Sequence, residues 1–299
     1  MKHSAWIFAT AALVAAAVAM SANSLTVKPR TMADVIASSK ASDWRSLDPQ
    51  NTLYVELPAG RVVIELDPTF APNGVTNIRT LVRQHYFDGL AVVRAQDNFV
   101  VEWNDPDKTR PLGGAEKTLG AEFSRSANEL PFTALPDPDT YAPEVGFVNG
   151  FPAARDPRAH LAWLVHCYSM VGVGRDNDVD SGNGSELYVV IGEAPRQLDR
   201  NVTLVGRVVS GMEQLATLKR GTGNMGFYET PAERTSIQSI RLAADVPETQ
   251  RSQLEVMRTD TATFNELVET RRNRREEWYK VPAGRIDVCN VPLITRTRP

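Results

Sequence analysis

Cysteine is almost missing from this chain: Cys167 and Cys289 are the only two in 299 residues. Two cysteines cannot build a disulfide framework, so the fold must rest on an apolar core. Excess basic charge is missing too. Lys and Arg number 33 against 36 Asp and Glu, and this slight acidic balance offers no basic patch for a nucleic-acid partner. The four histidines form no H-E-x-x-H pair and no G-x-S-x-G elbow occurs, which removes two common hydrolase signatures. After the first 24 residues, no segment is apolar enough to span a membrane.

Some patterns resemble ligand sites and fail on context. Gly221-Thr-Gly-Asn-Met-Gly226 matches G-x-G-x-x-G, but it follows a predicted helix and runs into Phe227-Tyr228-Glu229-Thr230-Pro231. A dinucleotide fingerprint leaves a strand and opens a helix, so this is a loop. Asp176-Asn-Asp178-Val-Asp180 begins like a calcium loop. Its sixth position is Ser181 instead of glycine and its twelfth is Leu187 instead of a carboxylate, so it reads as a solvated acidic loop. His166 and Cys167 are adjacent in a predicted strand, where neighbouring side chains face opposite ways.

The N-terminus carries a clear signal. Lys2 and His3 precede an apolar run from Ala5 to Met20, and Ala19-Met20-Ser21 and Ala22-Asn23-Ser24 fit an A-x-A-like cleavage pattern. The run is shorter than the roughly 20 residues of a membrane span. Residues 1–24 are expected to be a signal peptide, with an uncleaved anchor as the alternative. Export points to a periplasmic or secreted protein with no stable membrane span after cleavage. Such a compartment permits a disulfide between the two cysteines.

A lead-in over residues 25–49 comes next. Thr52–Leu57 and Arg61–Leu66 then form a predicted hairpin around Pro58-Ala59-Gly60. Val75, Ile78, Leu81 and Val82 recur at helical spacing within Ala71–Gln84. Short strands are expected at Ala91–Arg94, Asn98–Glu102, Leu161–Met170, Glu186–Ile191, Val202–Val209 and Thr235–Ala243, with a short helix over Met212–Leu218. Residues 104–158, dense in Pro, Gly, Asp and Asn, read as irregular. From Pro247 a charged tail begins. Gln253, Val256 and Met257, then Phe264, Leu267 and Val268, suggest two amphipathic helices before an extended end. Many short strands with few helices indicate a mainly β fold, a barrel or sandwich capped by helices.

Three segments carry a family resemblance. Val93-Arg94-Ala95-Gln96-Asp97-Asn98-Phe99-Val100-Val101-Glu102 resembles the central signature of the cyclophilin-type peptidyl-prolyl cis-trans isomerases. Ser169-Met170-Val171-Gly172 with Asn183-Gly184-Ser185-Glu186-Leu187-Tyr188-Val189 is similar to a second family stretch. Leu198-Asp199-Arg200-Asn201-Val202-Thr203-Leu204-Val205-Gly206-Arg207-Val208 is similar to a third, and the order and spacing agree over residues about 50 to 245. The resemblance implies a closed eight-stranded β-barrel capped by two helices at 50–245; the tail lies outside it and its periodicity reads as a helical C-terminal extension at 246–299. It implies no cofactor or metal and a proline-containing polypeptide as substrate. Arg94 takes the catalytic position. Phe99, Val100, Glu102, Val171, Gly172, Tyr188 and Leu198 take substrate-binding positions.

The chemistry fits those residue types. An X-Pro bond isomerises slowly because partial double-bond character must be lost, a barrier of about 18–20 kcal/mol. Twisting the bond localises a lone pair on the prolyl nitrogen. A fixed guanidinium binds that twisted state better than the planar one, and an apolar pocket takes the ring. The chain departs from the family pattern at the site itself. Val93 replaces a histidine, Glu102 and Glu186 replace glutamines, and Gly172 replaces an asparagine. Gln197 and Val202 stand where many members carry tryptophan and histidine. Isomerisation assisting the folding of exported proteins is therefore one expectation. A weak or inactive proline-peptide-binding chaperone or adaptor is another, and an unrelated carboxylate hydrolase a third. The tail is expected to pack on the barrel, with a Cys167–Cys289 bond and two free thiols both open. The oligomeric state is not legible.

Overall fold

The computed structural model describes residues 29–298. The expected signal peptide and its anchor alternative lie outside them. The strands form three antiparallel sheets.

In the largest sheet, nine strand segments run in the order 235–236, 91–95, 100–104, 187–190, 170–173, 204–210, 60–66, 52–57 and 239–242. The two edge segments are separated by only Ile237 and Gln238. The Ile237 amide donates to Leu90 on one side, and the Gln238 amide donates to Glu56 on the other. The sheet thus curls until one stretch of chain serves both edges, which leaves little open edge to aggregate. Period-2 alternation sends Leu53, Val55, Val62, Ile64, Val101, Trp103, Val171 and Val189 into one core. Helix Pro72–Arg83, opened by a proline that needs no amide partner, buries Val75, Ile78, Leu81 and Val82 against it. The short helix Met212–Ala216 adds Leu215.

Residues 105–124 carry no helix or strand, as expected, but the rest of the stretch expected to be irregular is built into a second sheet. Its five strands run in the order Arg125–Ser126, Leu161–Leu164, Phe151–Asp156, Glu144–Val148 and Phe132–Ala134. The Pro, Gly and Asp density falls in residues 105–124, ahead of the sheet, and in the loop 135–143 between two of its strands. Gly146 lets two strands approach, since a Cβ there would lie 2.1 Å from the Thr133 carbonyl oxygen. Leu161–Met170 is likewise not one strand. It divides into Leu161–Leu164 and Met170–Val173, with a turn at residues 165–169 where Ser169 has φ 73°.

A third sheet joins the two ends of the chain: Trp44–Ser46 and Thr295–Thr297 flank Leu254–Met257. This corrects the tail, in which Gln253, Val256 and Met257 were expected on a helix. Three positions, only two of them apolar, are too few to distinguish the periods, and pairing on both sides favours the strand. The second expected helix does form, over Ala262–Arg272, capped by Thr261 and burying Phe264, Leu267 and Val268. It lies beside helix Met32–Ala37 of the lead-in, where Arg30 pairs with Glu266. The tail therefore holds one helix and two strands.

Cys167 and Cys289 are disulfide-bonded across 122 residues of sequence. The bond fastens the C-terminal segment to the turn at 165–169. Closing so long a loop restricts the unfolded chain, and Cys289→Ser should lower the unfolding free energy by about 2–5 kcal/mol. Urea denaturation of non-reduced protein measures this, and an unchanged midpoint would mean that the bond does not hold the tail.

Candidate active site

A bulge places the central arginine. Val92 faces Trp103 and Arg94 faces Glu102, so Val93 is an extra residue in the strand Ala91–Ala95. Without it Arg94 would share the inward face of Val92. With it the side chain turns to the outer face of the sheet, beside Val100, Glu102 and Tyr188.

There Arg94 is buried and held on three sides. Its Nε donates to the Met225 carbonyl at 2.7 Å, Nη1 to Glu102 Oε2 at 3.2 Å, and Nη2 to Gln96 Oε1. The rings of Phe99 and Phe227 lie 5.4 and 5.3 Å from the guanidinium carbon, within cation–π range. A guanidinium has five N–H bonds, so two keep no partner among the described residues.

The discarded G-x-G-x-x-G loop supplies part of this cradle. It folds against the strand, with Gly221 donating to Ala95 and Tyr228 to Val93. A Cβ on Gly226 (φ 79°) would fall 2.6 Å from Gln96 Cα, and one on Gly221 would fall 2.1 Å from the Gly226 carbonyl oxygen. The glycines permit an approach close enough to deliver the Met225 carbonyl to Arg94.

Glu102 is equally enclosed. Asn104 Nδ2 lies 3.4 Å from Glu102 Oε1 and 3.1 Å from Glu186 Oε2, so one amide spans both carboxylates. Burial and the neighbouring Glu186 push Glu102 up to about 7, while Arg94 works in the opposite direction. Near neutrality Glu102 is part carboxylate and part carboxylic acid.

Six of the eight sequence-predicted residues line one cleft of about 690 Å³: Arg94, Phe99, Val100, Glu102, Tyr188 and Leu198. Glu186 and Val202 join them. Val171 does not, because alternation turns its side chain into the core. Gly172 lies beneath Tyr188, where an added Cβ would sit 2.2 Å from the ring.

An arginine in a cleft whose apolar side is made by Phe99, Val100, Tyr188 and Leu198, on the outer face of a curled antiparallel sheet, is what the sequence resemblance implied. Residues 52–242 match the family profile described as cyclophilin type peptidyl-prolyl cis-trans isomerase/CLD. The chain belongs to this family. Its members are peptidyl-prolyl isomerases, EC 5.2.1.8.

A probable peptidyl-prolyl cis-trans isomerase of Brucella suis is 27% identical over 175 residues, covering 58% of this chain and 74% of that protein. A peptidyl-prolyl cis-trans isomerase-like 1 protein of Gibberella zeae is 27% identical over 190 residues, covering 64% and 90%. The crystal structure of cyclophilin AquaCyp293 from Hirschia baltica superposes with TM-score 0.69 at 28% identity, covering 89% of this chain and 97% of that one. That coverage reaches well beyond residues 52–242, so the likeness includes part of the chain outside the profiled region.

Within this cyclophilin, the departure at Gly172 has a packing reason. The Tyr188 ring and hydroxyl occupy the volume that a side chain at position 172 would take. Gly172 therefore makes room for the tyrosine, and its replacement of asparagine is a packing consequence. Sequence reasoning missed Gln96, Met225 and Phe227, because main-chain acceptors and loop aromatics carry no motif.

The raised pKa of Glu102 has a sign for stability. Its folded value lies above the ordinary 4.5, so the fold favours the protonated form. That contribution is full below about pH 4 and is lost as pH rises through about 7. Glu102→Gln, which keeps the shape without ionising, should gain stability relative to wild type by roughly 1–3 kcal/mol between pH 4 and pH 8. Urea unfolding at both pH values measures the gain, and a pH-independent difference would remove Glu102 as its source.

Proposed function

We propose that this cyclophilin catalyses prolyl isomerisation in exported proteins, with Arg94 stabilising the twisted amide. The observation that carries the reading is the position of Arg94, buried, fixed on three sides, and on the wall of a cleft with Phe99, Val100, Tyr188 and Leu198. A guanidinium held in place needs no reorganisation when the prolyl nitrogen gains its lone pair. The apolar wall takes the proline ring, and no covalent step is involved.

Glu102 sets the strength of that field. In its protonated form it is a near-isostere of the glutamine usual in the family, and Arg94 keeps its full positive charge toward the cleft. Once ionised, it draws part of that charge to itself. Catalysis should therefore fall as pH rises through about 7, the value to which Glu102 is pushed. The same pairing favours a second reading, a module that grips proline-containing segments with little turnover.

The sheet, with one stretch of chain at both edges, supports a closed eight-stranded barrel over residues 50–245, and 246–299 form an appended unit. The disulfide supports an oxidising compartment. No helix among the described residues is long and apolar enough to cross a membrane. With the basic–apolar N-terminus, these favour a periplasmic or secreted protein. N-terminal sequencing of protein expressed with its leader is expected to begin near residue 25, and an intact Met1 would overturn export by cleavage.

Exchange NMR on an Ala-Pro peptide tests the chemistry. Arg94→Ala should lower acceleration on the order of 10²-fold, and Glu102→Gln should flatten the fall above pH 7. Peptide shifts without acceleration in wild type would establish the binding module instead.

A further inference from the structure

Tyr188 belongs to the cleft on one side and to a buried polar chain on the other. Its hydroxyl lies 2.9 Å from His166 Nε2, and His166 Nδ1 lies 2.9 Å from Asp199 Oδ1. That same oxygen accepts the His166 backbone amide at 2.9 Å. Asp199 Oδ2 takes Arg196 Nε at 2.6 Å, and Arg196 forms a two-pronged pair with Asp139 at 2.8 and 2.9 Å. His166 is fully buried, and the Arg196, Asp139 and Asp199 side chains are 4, 3 and 7% exposed. Such a chain is costly to bury unless every member is satisfied, so its geometry is narrowly defined.

Both ends of the chain are tied to the C-terminal tail. Cys167, next to His166, is bonded to Cys289. Asp137, two residues before Asp139, accepts Arg272 of the tail helix at 2.7 and 2.8 Å and the Ile286 amide at 3.0 Å. The tail thus grips the relay at its His166 end through a covalent bond and at its Asp139 end through a two-pronged ion pair.

We propose that the C-terminal tail is a positioning element of the proline pocket, acting on Tyr188 through His166, Asp199 and Arg196. A tyrosine in an apolar pocket must place its hydroxyl somewhere. Without His166 the hydroxyl would seek water in the cleft, on the surface the proline ring needs. The relay holds it over Gly172, and only the ring is presented to substrate. His166, Asp199 and Arg196 are positioning residues, since none of them lines the cleft. The inference rests on Tyr188 lining the proline pocket.

The test is a double-mutant cycle on non-reduced protein with a blocked Ala-Ala-Pro-Phe peptide. Wild type, C289S, Y188F and C289S/Y188F are compared by NMR titration for Kd and by exchange for kcat and KM. C289S should raise Kd about 3- to 10-fold while kcat changes less than about twofold. In the Y188F background the same substitution should change Kd by less than about 1.5-fold, because no hydroxyl remains to be held. An equal effect in both backgrounds, or no effect in the first, would overturn the proposal. Should C289S fail to fold, D199N replaces it in the cycle with the same two expectations. If wild type binds the peptide without accelerating it, the catalytic reading fails, and the Kd cycle still decides this one.

Discussion

The buried pair of Arg94 and Glu102 is the constraint around which the site is arranged. Two charges taken out of water are stable only if their remaining hydrogen-bonding capacity is met. That requirement accounts for features that are otherwise unconnected. The bulge at Val93 brings the arginine to the outer face, the glycine loop at 221–226 delivers a carbonyl to Nε, and Asn104 spans Glu102 and Glu186. The two aromatic rings add attraction without competing for the N–H bonds that face no protein acceptor. The pair remains short of electrical balance, because two carboxylates meet one guanidinium. Burial and the neighbouring Glu186 push Glu102 up to about 7, and protonation of Glu102 makes up the difference.

Much of this was legible in the residues, and the boundary has physical reasons. Hairpin 52–66 and helix 72–83 announce themselves through turn chemistry and a clean apolar period, both of which are local. Arg94, Phe99, Val100, Glu102, Tyr188 and Leu198 come together as their family positions imply, because the strand order that joins them is the family's own. Val171 was misplaced because a motif records neighbours in sequence and not the face each side chain takes. The second sheet was illegible for another reason. Its strands are two to six residues long and separated by loops rich in Pro and Asp, and their pairing is decided across the chain. The strand Leu254–Met257 shows the same limit, since its partners Trp44–Ser46 and Thr295–Thr297 lie at opposite ends of the sequence.

The second sheet and the tail also explain where the cleft is. A curled sheet has an inner face that fills itself and an outer face that must be polar or covered. Here the outer face carries Val100, Met170, Tyr188 and Val190, which pack with Phe147, Phe151, Trp163, Phe264 and Leu267 from the added elements. Those elements cover the apolar outer face up to Tyr188 and stop. The ring is thus buried on one side by the cover and open on the other to the cleft, as a pocket for a single apolar ring requires. The appended segments do not line the cleft themselves; they back the strands that do. The tail's disulfide and the Arg272–Asp137 pair fix that backing, far from Arg94 in sequence. The cover thus bears on the cleft from behind, through the outer-face residues Val100, Tyr188 and Val190 that it packs against, and leaves the strand that carries Arg94 untouched.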